Sequence, residues 1–332
     1  MESYQTSPDH YRAIREGAAT GAIAPRAQIA VAGDDRGSYL QGLLTNDVQA
    51  LTAGSGCYSA WLTPQGRMHT DMHLFESGDM ILLDVPADQL RPTLQRLDQF
   101  LFSEDVQLAD LAASLRAVWV HGPAAPAILE RVVGGFTGVA DWPQYRNVRA
   151  QFNGAPAVVA RVDQLAVPGL CVYVAPAAEA ALLAALHGAG AVAADSMSLE
   201  VARIEAGYPI FGVDMNEETI PLEAGIEQRA ISLTKGCYVG QEVIIRVLHR
   251  GHGRVARRLM ALRVQGPAPA RGAKLFAGDR EVGTVTSAAG SPRHGAIALG
   301  YLHRDFVAPG TAVEVETAGG RSAATVTERP MT

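Results

Sequence analysis

Lys235-Gly236-Cys237-Tyr238-Val239-Gly240-Gln241-Glu242, running on into Val243-Ile244-Ile245, is the most distinctive stretch of the chain. The apolar continuation can form a helix, which places Cys237 just ahead of a helix N-terminus and two residues from the Lys235 ammonium. A cation and a helix dipole are the conditions that lower a thiol pKa. Cys237 and Lys235 are therefore candidate catalytic residues, although a solitary cysteine also fits an inert buried position.

Upstream lies Arg203-Ile-Glu-Ala-Gly-Tyr-Pro-Ile-Phe-Gly-Val-Asp-Met-Asn216. Gly207, Pro209 and Gly212 separate Glu205 from Asp214, so the passage reads as strand or turn with two carboxylates near irregular backbone. A carboxylate can accept a paired hydrogen bond from a ring that carries an exocyclic amine beside a ring N–H. Either acid alone also fits a surface position or a helix cap. Further upstream, in Gly66-Arg-Met-His-Thr-Asp-Met-His-Leu-Phe75, Met68, Met72 and Leu74 alternate with His69, Asp71 and His73. A strand here places both imidazoles and the carboxylate on one face. That face is either a site or the wetted side of a half-exposed strand. A metal held by the three is the weaker reading, because ligands at roughly 7 Å spacing have to converge.

Downstream the chain turns basic: Arg246, Arg250, Arg254, Arg257 and Arg258 follow the cysteine motif. These side chains suit a carboxylate tail or a polyanion such as RNA, while His249, Gly251 and Gly253 break any regular basic face and fit a solvated linker. His249 and His252 lack further metal ligands nearby in sequence.

The composition excludes several classes. The 332 residues suit two or three domains, and 28 Lys plus Arg against 34 Asp plus Glu give a net charge of −6, which offers no general attraction to nucleic acid or acidic lipid. No apolar run reaches the roughly 20 residues of a membrane-spanning helix, and the first ten residues are neither basic nor hydrophobic. Three widely spaced cysteines, Cys57, Cys171 and Cys237, fit a reducing compartment, and the expected location is cytoplasmic.

Short alternating strands interleave with Ala- and Leu-rich helical stretches, the pattern of an α+β protein. Gln28 to Gly33 followed by Ser38 to Leu44 echoes Arg116 to Gly122 followed by Pro126 to Val133, each a strand, a turn and a helix start. Ala175 to Ala194 suits a helix packed on a sheet. Beyond Gly253, strands separated by Gly and Pro indicate a C-terminal β-barrel of about 75–80 residues. The expected division is 1–250 and 251–332.

The cysteine motif resembles the signature of the YgfZ family, within the glycine-cleavage T-protein (aminomethyltransferase) superfamily. Leu43-Leu-Thr-Asn-Asp-Val48, Tyr58-Ser-Ala-Trp-Leu-Thr-Pro-Gln-Gly66, Val120-His-Gly-Pro123, Ile204 to Asp214 and Ala298-Leu-Gly-Tyr-Leu302 are similar to that superfamily's landmarks in the same order. The resemblance implies two interleaved α+β units with antiparallel sheets and a C-terminal barrel, arranged as a ring around a central channel for tetrahydrofolate. It implies that Asp71 orients the reacting folate nitrogen and that Glu205, Tyr208, Asp214 and Arg246 take part in binding, with no metal. It further implies support of iron–sulfur cluster assembly in client proteins and a link to tRNA modification. A folate-dependent aminomethyl or one-carbon transferase, or a non-catalytic RNA- or protein-interaction module, are the alternatives. Thr70 replaces the first acid of the T-protein pair, which questions turnover.

Overall fold

The computed structural model describes residues 6–250 and 253–331. The chain builds two sheets and a barrel, and it enters the first sheet before and after making the second. Ala19–Thr20 lies in a six-stranded sheet whose order continues through Arg116–His121, Gly169–Val174, Ala155–Arg161 and Asn147–Phe152, with Val192–Ala193 on the far edge. Between those visits the chain forms a five-stranded antiparallel sheet, Gly56–Leu62, Met68–Glu76, Met80–Pro86, Arg26–Ala32 and Gln107–Asp110. This is the interleaving that the resemblance implies. The two echoing segments are equivalent pieces of the two sheets. Arg26–Ala32 leads into the helix Arg36–Leu43, and Arg116–His121 into the helix Ala125–Val132. Pro176–Gly188 is the helix expected over the Ala-rich segment.

Six strands from Arg257 to Thr327 close the C-terminal barrel. Inward-facing Leu262, Leu275, Val285, Leu302, Val315 and Val326 fill it, each worth roughly 1.5–3 kcal/mol when fully buried. Each unit also touches the other two. Phe75 and Leu82 of the five-stranded sheet pack on Trp119, Cys171 and Tyr173 of the six-stranded one. Barrel residues Leu259 and Ile297 pack on Tyr11, Val201 and Ile204. The segment after Gly207 lies on the face of the five-stranded sheet that carries Tyr58, Ala60, Leu62 and Met68. The units thereby close into a three-way arrangement, with Tyr58 and Tyr208 at its interior.

Ser196–Ala206 is a helix, not the strand or turn expected from the glycines and proline. The carboxylate of Asp195 caps its first turn by accepting from Ser198 N at 2.6 Å, worth about 1 kcal/mol. Gly207, at φ +63°, ends it in the left-handed conformation. The irregular backbone foreseen for this motif begins only there.

Candidate active site

Pairing of Met68–Glu76 with Gly56–Leu62 sets Tyr58 opposite His73, Ala60 opposite Asp71 and Trp61 opposite Thr70, but Leu62 opposite Met68. His69 is the extra residue of a bulge, and a bulge reverses the alternation. Asp71 and His73 share the face of Tyr58, while His69 turns to the opposite face and lies edge-on to Trp61 at 5.8 Å. The expected trio is therefore split, and its three side chains do not converge on a metal. Nor is the remaining face wetted: Asp71 is 3% exposed and His73 0%. Burial of this kind demands partners.

Those partners come from four parts of the chain. The Tyr58 hydroxyl donates to Asp71 Oδ2 at 2.7 Å. Among the described residues Asp71 Oδ1 has no hydrogen-bond partner; Arg26 Nη1 stands 3.8 Å away. Arg26 commits its Nε to Asp84 Oδ2 at 2.7 Å, and Gln28 donates to Asp84 Oδ1 at 2.8 Å. His73 bridges the network, Nδ1 lying 3.2 Å from Asp84 Oδ2 and Nε2 3.2 Å from the Tyr208 hydroxyl. Burial and the Arg26 charge lower the His73 pKa against the pull of Asp84, so the ring is neutral at physiological pH. With Nδ1–H donated to Asp84, Nε2 accepts from Tyr208. Burial alone pushes the Asp84 carboxyl up, but Arg26 and His73 outweigh it and leave the group below its ordinary value. Burial and the neighbouring Asp71 charge hold the Tyr58 phenol well above the usual range, so it remains a donor.

Aromatic rings surround this network. Tyr145 stacks on His73 at 6.0 Å. The Arg229 guanidinium lies between Tyr58 and Tyr208, 4.6 and 4.2 Å from their ring centres. Among the described residues it makes no hydrogen bond or ion pair, so a five-donor group is held in place by cation–π contacts with its donors free. Tyr208 and Arg229 also line a cavity of about 390 Å³ at the junction with the barrel.

Tyr208 reaches the network around Asp71 through His73. Glu205 and Asp214 are engaged elsewhere. Glu205, in the last turn of its helix, accepts from Tyr11, Arg15 and Ser291. Asp214 accepts from Arg203, Ile210 N, Thr286 and Ser287. Each Asp214 oxygen receives two donors, and the Glu205 oxygens share the Tyr11 hydroxyl while taking Ser291 and Arg15 one each, so both acids are engaged within the protein. These acids tie the helix and its following turn to the N-terminal helix Pro8–Glu16 and to the barrel.

The cysteine motif also departs from expectation. Lys235 turns inward and its Nζ donates to the carbonyls of Gln41, Leu44 and Asn46 at 2.6, 2.6 and 2.9 Å. It caps the helix Arg36–Leu43 rather than facing the thiol. Burial pulls its pKa down to about 8. Cys237 is exposed, and the helix Gln241–Ile245 starts four residues further on, behind the left-handed Gly240. Neither activating neighbour is where the motif suggested. Arg246 is exposed at the start of the turn Arg246–Arg250, away from the contacts of Asp71, and Arg257 and Arg258 pair with Glu223 and Glu227. Two of its five arginines are thus held by glutamates about thirty residues upstream. Gly251 and His252 lie outside the described residues, as do the side chains of His249 and Arg250.

Sequence reasoning missed Asp84, Arg26, Tyr58, Tyr145 and Arg229. Asp84 did leave a signal, as a lone carboxylate within the apolar strand Met80-Ile-Leu-Leu-Asp-Val-Pro86.

Residues 3–235 match the family described as the GCVT N-terminal domain, and residues 257–332 the glycine cleavage T-protein C-terminal barrel domain. An aminomethyltransferase of Rubrobacter xylanophilus is 30% identical over 88% of this chain and 78% of that protein. One from Picosynechococcus is 28% identical, covering 96% of this chain and 88% of its own. The crystal structure of the aminomethyltransferase T of the Bartonella henselae glycine cleavage system superposes with a TM-score of 0.87 over 98% of this chain and 91% of that one, at 23% identity. No helix among the described residues is long and apolar enough to cross a membrane.

Proposed function

We propose, because this chain belongs to the glycine cleavage T-protein family, that it binds a tetrahydrofolate and serves as a folate-dependent one-carbon transferase of the aminomethyl-transferring kind. The observation that carries the proposal is Asp71 Oδ1, a buried carboxylate oxygen without a donor. Leaving such an atom unpaired costs about 1–3 kcal/mol, which a ligand N–H would recover. The surrounding residues fit a flat, nitrogen-rich heterocycle: Tyr208 and Tyr145 offer ring faces, and Arg229 offers unused donors to ring acceptors.

When bound, tetrahydrofolate supplies the nucleophilic ring nitrogen that takes up the one-carbon unit. The chain's own contribution is positional. Tyr58 fixes Asp71 through Oδ2 and leaves Oδ1 as the atom that would hold an N–H of the bound folate and could receive its proton. The chain Gln28, Asp84, His73, Tyr208 holds the wall opposite with a neutral imidazole, so proton uptake has one available carboxylate.

Thr70 weighs less against turnover than the sequence implied. Adjacent strand residues face opposite ways, and Thr70 lies on the side of Trp61 and Met72. An acid at position 70 would not stand beside Asp71 on this strand.

A second reading, a folate-binding accessory factor in iron–sulfur cluster assembly with a cytoplasmic location, is favoured by Cys237, the exposed one of the three free cysteines. The two readings separate in one assay. Purified protein with tetrahydrofolate and an aminomethyl donor yields methylene-bearing folate, a yield abolished in Asp71→Asn and retained in Cys237→Ala. Folate binding without any product, in a protein whose Cys237→Ala form fails to sustain iron–sulfur enzymes, would replace the first reading with the second. A folded protein that binds no folate would end both.

A further inference from the structure

The core between the two sheets is incompletely filled. Phe75 and Leu82 of the five-stranded sheet, Val158 and Tyr173 of the six-stranded one, and Leu111 and Leu115 of the connector from Gln107–Asp110 to Arg116–His121 line a cavity of about 340 Å³. Leu111, Leu115 and Val158 are half-buried, so part of this apolar seam stays within reach of solvent. Protein interiors tolerate few voids larger than a water molecule, and this one has room for roughly ten waters at ~30 Å³ each. Its size falls within the ~300–1,000 Å³ of small-molecule sites.

The polar groups decide what fits. Asp79 and Arg149 are the charged residues of the lining; both are exposed, and they pair with each other across the seam. A mouth whose charges are already paired calls for no ionic ligand. Tyr173 is different. It is 1% exposed and packs its ring on Phe75 at 5.9 Å, yet among the described residues its hydroxyl has no hydrogen-bond partner. Cys171, two positions away on the same face of the strand, offers a thiol, which is a weak partner. Burial, then the charge of Asp84, holds the phenol well above its ordinary range, so it stays protonated and is a donor. A buried donor left unpaired is costly, and an acceptor on a ligand removes that cost.

We infer that this cavity is a second ligand site, for a compact neutral aromatic molecule with one oxygen acceptor, which meets the Tyr173 hydroxyl while its ring lies against Phe75 and the leucines. The site does not depend on the folate reading. It shares no lining residue with the bonds that hold Asp71, Asp84 and Tyr208. Phe75 is where the two neighbourhoods meet, its ring centre lying 6.3 Å from that of His73. Because the lining comes from both sheets, an occupant ties the two α+β units together and should raise the melting temperature.

The test is calorimetry of acetophenone, ethylbenzene and benzoate against the full chain, with melting curves alongside. Acetophenone should saturate one site and raise the melting temperature. Ethylbenzene, which has a similar ring and no acceptor, should bind about threefold to tenfold more weakly, and benzoate, which is charged, more weakly than either. Tyr173→Phe should melt no lower than wild type, because the hydroxyl it loses is unpaired, and should bind acetophenone and ethylbenzene alike. Val158→Phe and Leu115→Trp fill the cavity from different walls and should each abolish binding; the pair is used so that loss of fold in one leaves the other. A wild type that binds no probe saturably overturns the inference, as does a Tyr173→Phe protein that keeps the preference for acetophenone. Filled variants that bind as before place the ligand elsewhere and also overturn it. Benzoate bound as tightly as acetophenone would move the anchor to Arg149 and refute the neutral ligand.

Discussion

Replacing Asp71 by asparagine separates a ligand-facing carboxylate from a structural one. The substitution keeps the shape and an oxygen for the Tyr58 hydroxyl, which donates at 2.7 Å, and replaces the charge and one acceptor by an amide NH2. In the free protein Asp71 Oδ1 is unpartnered, and the cation beside it, Arg26 at 3.8 Å, is already committed to Asp84 at 2.7 Å. That position holds an unpaired polar atom in either form, and the lost attraction to Arg26 is offset by no longer burying a charge, so the stability of the free protein should change by less than about 1 kcal/mol. Binding should respond differently. A hydrogen bond to a charged group is worth about 1.5–3 kcal/mol and a neutral one about 0.5–1.5, so affinity for tetrahydrofolate should fall by about 1–2 kcal/mol, roughly 5- to 30-fold. Urea denaturation gives the first quantity and titration calorimetry the second. An Asp71→Asn protein that loses several kcal/mol of stability yet binds tetrahydrofolate with wild-type affinity would make Asp71 a fold-holding partner of Tyr58 and Arg26, and would refute the reasoning.

Glu205→Gln should behave in the opposite way, losing roughly 3 kcal/mol in urea because Arg15 forfeits its buried partner, with folate affinity within threefold of wild type. Lys235→Met should strand the carbonyls of Gln41, Leu44 and Asn46 and lower stability by roughly 2–4 kcal/mol, whereas Cys237→Ala, at an exposed position, should stay within about 0.5 kcal/mol by the same measurement. His121 is fully buried with Nε2 donating to the Gly21 carbonyl at 3.0 Å and Nδ1 unpartnered, and burial lowers its pKa from 6.5 to about 4. The unfolded chain therefore holds more protons than the native one across that interval; stability is fully present above about pH 6.5 and falls by about 3 kcal/mol toward pH 4. Urea midpoints measured across that interval should show this fall, and it should flatten in His121→Gln.

The barrel and the interleaved sheets were legible because each strand carries its own alternation and turn residues. Strands such as Ala296 to Leu302 and Ala312 to Thr317 depend little on what they pair with. The face of Asp71 was not legible in full. The bulge that turns His69 away is set by how Trp61 and Leu62 pair with Thr70 and Met68, a relation between two strands that neither states alone. Asp84 could have been suspected, since a carboxylate in an apolar strand requires a partner. Arg229 gave no local sign; its role exists only because Tyr58 and Tyr208, 150 positions apart, close on it from either side.

The recognisable motifs and the chemical groups therefore fall on different residues, for a physical reason. Glu205, Asp214 and Lys235 belong to the most distinctive stretches of the chain, and each spends its charge inside the protein. Arg203 receives Asp214 at 2.7 Å, Glu205 joins the N-terminal helix to Ser291 of the barrel, and Lys235 holds the end of the Arg36–Leu43 helix. A buried charge with every lone pair or proton engaged tolerates almost no substitution, because removing one partner strands the other. Such residues mark a scaffold strongly while contributing nothing free to a ligand. Asp71 Oδ1 and the Arg229 guanidinium are the reverse, held by neighbours but unspent. The Arg203-Ile-Glu-Ala-Gly turn acts on the site through position alone: by fixing where the helix ends at Gly207, it sets the Tyr208 hydroxyl 3.2 Å from His73 and its ring over Arg229.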